Sequence, residues 1–180
     1  TAFHIARSGR PGPVVIDIPK DVQNWQGIFQ GQGLLPIPGY QQRLAAVENN
    51  TLSAAQCEEF AKLFSKSKRP LIYAGGGVVL GEASAALTTF AQAFGIPVVQ
   101  TLMGLGGYDT TDNLALHMLG MHGAAFANYA VEDCDFVLAV GARFDDRVAG
   151  KPNAWAPNAQ AIAHLDIDAS EIGKVKAVNW

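Results

Sequence analysis

Apolar and polar positions fall in blocks along the chain. Residues 13–18, PVVIDI, are a β-branched apolar run opened by Pro11-Gly12-Pro13 and closed by Pro19, the pattern of a strand with turn residues at both ends. A short helical stretch, Ala2 to Ser8, precedes it. Residues 26–40 then carry four Gly and two Pro with no steady period, so 23–49 reads as a linker between domains.

From Leu52 the period becomes helical. Ser53 and Gln56 have capping-box spacing, and Cys57, Phe60, Ala61 and Phe64 recur at i, i+3, i+4, i+7, which predicts a helix to about Ser67, with Lys66, Lys68 and Arg69 at its end. Pro70 opens the apolar run PLIYA (70–74), which ends in Gly75, Gly76 and Gly77. A second helix presents Ala83, Ala86, Leu87, Phe90, Ala91 and Phe94 on one face and stops at Gly95. Strands follow at 96–101, 135–141 and 161–168, with a Gly-rich stretch at 101–112 and a helical segment at 124–134. Continuously apolar strands alternating with helices imply βαβ units. The expected fold class is α/β, a Rossmann-like parallel sheet with helices on both faces; four strands are expected from residue 52 on, and a further one just beyond Trp180.

Composition narrows the field. A hydrophobic fraction of 49% with 16% charged residues is globular, and a net charge of -3 without a Lys/Arg block argues against nucleic acid as a partner. Neither a run of eighteen apolar residues nor a signal-peptide pattern occurs, so the expectation is a cytoplasmic protein with no membrane partner. Cys57 and Cys134, both in apolar contexts, read as two buried thiols rather than a disulfide. The chain begins without Met inside a helix-like stretch and reads as a piece of a longer polypeptide.

In open α/β sheets ligands bind beyond the carboxyl ends of the strands, and the polar and glycine clusters lie there: Gly75 to Gly77, Thr101, the stretch Gly141 to Arg147, and Asp166 with Asp168. The triple glycine suits either a tight turn or a backbone against a pyrophosphate. It lacks the full GxGxxG spacing, and no acidic residue ends the next strand for a ribose. Arg143 and Arg147 suit an anionic ligand or solvated pairs with Asp145 and Asp146. His4, His117, His122 and His164 lack metal-ligand spacing, no GxSxG or P-loop motif occurs, and neither a catalytic residue nor a metal ligand is expected.

The segments SGRPGPVVIDIPKDVQ (8–23), YAGGGV (73–78), TLMGLGGYD (101–109), LGMHG (119–123), CDFVLAVGARFDDRVAGK (134–151) and HLDIDASEIGKVK (164–176) resemble, in order, the large catalytic subunit of the acetohydroxyacid (acetolactate) synthase family. The resemblance implies a thiamine-diphosphate-dependent transferase that condenses two 2-oxo acids with decarboxylation in branched-chain amino acid biosynthesis. It further implies a homodimer or tetramer with a small regulatory subunit. Residues 1–22 would end the pyrimidine-binding domain, and 50–180 would be most of a central domain that binds FAD structurally. The ligands of thiamine diphosphate and Mg would lie outside this chain, leaving it inactive alone.

Carried over residue by residue, the FAD contacts would be Arg10, Gly75, Gly76, Gly77, Thr101, Leu102, Leu119, Gly120, Met121, His122, Gly141, Ala142, Arg143, Asp145, Arg147 and Val148, with Asp166 and Ile167 at the adenosine end. Lys20, Met121 and Arg147 would line a substrate channel. Asp146 is left to a structural pairing with an arginine. A related thiamine-diphosphate enzyme of the glyoxylate carboligase or pyruvate oxidase type, or a non-catalytic nucleotide-binding scaffold, stay open as alternatives.

Overall fold

The computed structural model describes residues 1–28, 30, 31, 38–40, 42, 45, 46 and 51–180. It divides into two compact units, Thr1–Thr51 and Leu52–Trp180. Part of the expected linker, 23–49, lies outside the described residues. No described helix is long and apolar enough to cross a membrane.

In the first unit α1 spans Ala2–Arg7 and α2 spans Lys20–Gln23. The run PVVIDI between them is not a strand: residues 11–19 have no regular structure, and Val15 and Ile16 are 89% and 69% exposed. A β-branched run becomes a strand only when a ladder partner takes its N–H and C=O groups. Among the described residues none pairs with it.

The second unit is built on five parallel strands in the order β3-β2-β1-β4-β5, comprising β1 Pro70–Ala74, β2 Val98–Gln100, β3 Ala115–Met118, β4 Phe136–Val140 and β5 Ala161–Leu165. The expected α/β parallel sheet is present, with one strand more than the apolar runs predict. β3 escapes the pattern because it is an irregular edge strand: its register against β2 slips, and His117 sits at φ 58. Its residues are only partly buried, so the sequence there shows no continuous apolar run. The end of the chain lies along β5, where Asn179 N–H donates to Ile162 O (2.8 Å) and His164 N–H to Trp180 O (2.8 Å).

Helices cover both faces. α3, Ala54–Phe64, starts on the capping box expected from the sequence: Ser53 Oγ accepts from Gln56 N–H, and Gln56 Oε1 accepts from Ser53 N–H. Its inward stripe is Phe60, Leu63 and Phe64, rotated from the expected one, so Ala61 and Cys57 face out. Cys57 is therefore an exposed thiol, contrary to the expectation of two buried ones; Cys134 is buried. Phe60 and Phe64 pack on Phe136 of β4 at centroid distances of 5.9 and 5.8 Å, where the larger Phe side chains capture the core-facing arc and leave the smaller Cys and Ala at its margin.

α4 (Gly76–Leu80) and α5 (Ser84–Phe94) follow β1, with Leu87 and Ala91 buried and Gly95 closing α5 in the left-handed region at φ 65. On the same sheet face α3 and α5 share a phenylalanine cluster: Phe90 lies 6.4 Å from both Phe60 and Phe64. α6, Ala125–Asp133, buries Ala127 and Val131 in the core of the other face.

Candidate functional site

Strands β1, β2 and β3 run outward to one side of the sheet, while the chain then crosses to place β4 and β5 on the other. The order reverses between β1 and β4, and at such a switch point the loops leaving two neighbouring strands diverge and open a crevice at their carboxyl ends. The segments meeting there are Gly75–Gly77 after β1 and Gly141–Arg147 after β4.

Glycine is required at this junction for contact between two backbones. A Cβ on Gly75 would stand 2.3 Å from Gly141 O, one on Gly77 would stand 2.6 Å from Gly141 Cα, and Gly141 itself is at φ +53. Gly77 N–H donates to Gly141 O at 2.9 Å. That amide, which the sequence offers as a pyrophosphate donor, is thus engaged within the protein, and the triple glycine is first a close-packing device. A third segment closes the group: Thr101 Oγ1 accepts Gly104 N–H (2.9 Å) at the head of the short 3-10 turn Leu102–Gly104, and a Cβ on Gly104 would meet Ala74 O at 2.6 Å.

The loops 119–123 and 141–148 are joined. Met121 N–H donates to Arg147 O at 2.8 Å, Arg147 Nη1 stands 4.0 Å from Met121 Sδ, and a Cβ on Gly120 would reach Arg147 O at 2.7 Å. Asn128 of α6 holds Gly120 from both sides, its Oδ1 accepting the Gly120 N–H (2.8 Å) and its Nδ2 donating to Gly120 O (3.0 Å). Sequence reasoning missed Asn128; the signal was an amide among the Ala and Val positions of that helix. Leu119 and Ala142 are buried anchors, Val148 is half-buried, and His122 is exposed.

Charges on the β4 loop are arranged around Asp145. Its Oδ2 pairs with Arg143 Nη2 at 2.7 Å and its Oδ1 accepts Arg147 N–H at 3.0 Å. The Arg147 backbone N–H first, and then neighbouring groups including both guanidinium charges, hold the Asp145 carboxyl below the usual carboxylate range. The arginine-paired aspartate is therefore Asp145, and the pairing that the sequence reading gave to Asp146 belongs to its neighbour. The Arg143 side chain remains 56% exposed beyond this pair. Beneath the loop, buried Tyr73 donates from its hydroxyl to Arg143 O at 2.7 Å and packs with Phe144 and Trp155, each 5.6 Å away. None of these three aromatic residues has a signal in the sequence as a support of the site.

Asp166, after β5, accepts Asp168 N–H on Oδ1 at 2.9 Å, and Ile167 beside it is exposed. Asp109 and Asp112 serve their own turns, accepting the N–H of Thr111 and of Leu114 at 2.8 Å each. Arg10 and Lys20 belong to the first unit, Lys20 as the first residue of α2, and the rim above is built by the second unit alone.

Read across the sheet, the rim carries exposed Met121, Leu102 and Met103 at the β3 and β2 end, glycine backbone at β1, exposed Arg143 and Arg147 at β4, and Asp166 at β5. Such a row suits an elongated ligand that is apolar at one end, anionic in its middle and hydroxylated at the other. A cavity of about 500 Å³ lies elsewhere, lined by Lys66, Lys68, Arg69, Asp135, Asn158 and Gln160 at the opposite end of the strands.

Residues 57–180 match the family described as thiamine pyrophosphate enzyme, central domain. The chain is similar to acetolactate synthase 2, chloroplastic, of Nicotiana tabacum (50% identical over 97% of this chain and 25% of that protein). It is also similar to acetolactate synthase, chloroplastic, of Arabidopsis thaliana (49%, 97% and 25%) and to the acetolactate synthase large subunit of Corynebacterium glutamicum (46%, 98% and 27%). It spans about a quarter of the length of these curated relatives. With a parallel five-stranded sheet, a glycine-packed switch point and this match over most of its length, the chain belongs to the family of thiamine pyrophosphate enzyme central domains.

Proposed function

We propose that this chain is the FAD-holding central region of a thiamine-diphosphate-dependent acetolactate synthase that joins two 2-oxo acids with loss of carbon dioxide. The observation that carries the reading is the chemical order along the rim, from Leu102 and Met121 through Gly75–Gly77 to Arg143, Arg147 and Asp166. It runs in the same sense as flavin, diphosphate and adenosine. The relatives, named acetolactate synthases at 46–50% identity, supply the activity.

On this reading the flavin, when bound, is a structural group and takes no redox part in the condensation. The exposed apolar side chains would flank its ring, the guanidinium groups of Arg143 and Arg147 would pair with its diphosphate, and the Asp166 carboxylate would accept from adenosine hydroxyls. Arg10 would add a contact from residues 1–22, the end of the pyrimidine-binding domain, with 23–49 as linker and 50–180 as central domain. Lys20, Met121 and Arg147 would line the substrate channel. No residue here acts as acid, base or nucleophile; thiamine diphosphate and Mg would be held by other parts of the enzyme, a cytoplasmic homodimer or tetramer with a small regulatory subunit.

Titration of FAD into the protein, followed by flavin fluorescence, is expected to give saturable quenching; a linear, non-saturating response would refute the FAD site. In the protein expressed with its flanking sequence, acetolactate formation should vanish when thiamine diphosphate is withheld. Saturable FAD binding without any acetolactate formation would favour a nucleotide-binding scaffold.

A further inference from the structure

The aromatic group beneath the β4 loop contains a polar ring. His164 of β5 is buried, stands edge-on to Phe144 at 5.4 Å, and has no hydrogen-bond partner on either ring nitrogen. Phe144 in turn packs against Trp155 at 5.2 Å and Tyr73 at 5.6 Å. In such surroundings a phenylalanine would satisfy the packing. An unpartnered polar group instead costs on the order of 1–3 kcal/mol, so packing alone does not account for an imidazole here.

What the imidazole offers is direction. Its Nε2 lies 3.8 Å from Asp166 Oδ2, and the two side chains are only 0% and 11% exposed. The distance is longer than a hydrogen bond, yet it sets the ring nitrogen directly opposite the carboxylate oxygen in a nearly buried pair. The other carboxylate oxygen, Oδ1, already accepts the Asp168 N–H at 2.9 Å, so the carboxylate is held by backbone on one side and faced by the ring on the other. Burial by itself would raise the Asp166 carboxyl, yet the His164 ring and the Asp168 N–H hold it below the usual value, which keeps it an acceptor.

We propose that His164 is a positioning residue for Asp166: from inside the core its Nε2 faces Oδ2 and fixes the plane in which the carboxylate is presented to the rim. The consequence for binding rests on the FAD reading above, in which Asp166 receives the adenosine end. His164 touches neither cofactor nor substrate and acts only through the aspartate.

Two substitutions separate positioning from packing. His164→Phe keeps the ring volume and the edge contact with Phe144 but has no N–H; His164→Gln supplies a donor of similar reach and packs less well. The expected result is that His164→Phe raises the Kd for FAD about tenfold, the order of effect of removing a polar group that faces a nearly buried carboxylate, with the melting temperature unchanged or higher. His164→Gln should stay within about threefold of the parent. Asp166→Asn should weaken FAD similarly, and adding His164→Phe to it should weaken it no further. A packing role predicts the reverse order, with His164→Phe neutral and His164→Gln impaired and less stable.

A second readout needs no FAD. In an NMR titration of the ligand-free protein the Asp166 carboxyl should titrate at a higher pH in His164→Phe than in the parent. If that shift occurs while the parent fails to bind FAD, the FAD reading falls and the His164–Asp166 pair stands. If FAD binds and neither its affinity nor the Asp166 titration responds to His164→Phe, the proposal is overturned.

Discussion

The two ends of the parallel sheet use the same residue types to opposite effect. At the amino end Asp135, just before β4, accepts from the Ser67 hydroxyl and from the backbone N–H of Lys68 (2.8 Å) and Arg69 (3.0 Å), while its own backbone O takes Gln160 N–H (2.8 Å). One residue thereby ties together the starts of β1, β4 and β5, its carboxylate reaching the segment before β1 and its backbone carbonyl the segment before β5. At the carboxyl end Asp145 also pairs and caps, but two exposed guanidinium groups and a row of exposed apolar side chains extend beyond it. A cavity alone would have favoured the first end, where about 500 Å³ opens beside Lys66, Lys68 and Arg69. What distinguishes a ligand rim from a structural knot is whether the polar groups are already satisfied by the protein, together with its place at the switch point.

The comparison is most severely tested where backbone meets backbone. Gly141→Ala combines φ +53 with a Cβ 2.6 Å from Gly77 Cα, and is expected to destabilise the fold by about 3 kcal/mol or more, read as a fall in the denaturation midpoint. A variant as stable as the parent would show that the glycine is kept for a ligand alone. At the amino end Asp135→Ala should cost about 2 kcal/mol through its lost hydrogen bonds, with FAD affinity unchanged.

That end also has a pH signature. Burial pushes the Asp135 carboxyl up, but the Ser67 hydroxyl and the Lys68 and Arg69 N–H groups outweigh this and hold it below its ordinary value. A carboxyl depressed in the folded state adds stability that is fully present above its unfolded value, about 3.9, and is lost as pH falls through the folded value. Urea midpoints measured from pH 6 downward should therefore fall more steeply in the parent than in Asp135→Asn; parallel curves would remove Asp135 from the account.

At the carboxyl end Arg143→Ala and Arg147→Ala should each weaken FAD about tenfold while moving stability by no more than about 0.5 kcal/mol, the inverse of the Asp135 pattern. The smallest effect concerns the thiols. Cys57 is exposed, whereas Cys134 is buried and its thiol is pushed up to about 12 by burial and the nearby Asp135 charge. A thiol reagent should label Cys57 alone in the folded protein, and both cysteines only after denaturation.

Much of the second unit was legible in the sequence because its signals are local. Ser53 and Gln56, the buried runs at 70–74, 136–140 and 161–165, and Gly95 each declare their element within a few residues. PVVIDI misled because a strand requires a partner, and a run of six residues carries no record of one. β3 was missed for the converse reason: its pairing with β2 is real, but its half-burial and the slip at His117 erase the apolar pattern. The rim followed from strand ends alone, whereas the support beneath it did not. Asn128, Tyr73, Trp155 and His164 come from four separate segments, and each reaches the rim or its neighbours only through tertiary packing.

A crystal structure of the protein soaked with FAD would test the central claim directly, since it asks which end of the sheet the dinucleotide chooses. The account predicts the diphosphate beside Arg143 and Arg147, with the flavin toward Leu102 and Met121 and the adenosine at Asp166. Density for FAD in the cavity bounded by Lys66, Lys68 and Arg69, with the carboxyl-end rim empty, would contradict it.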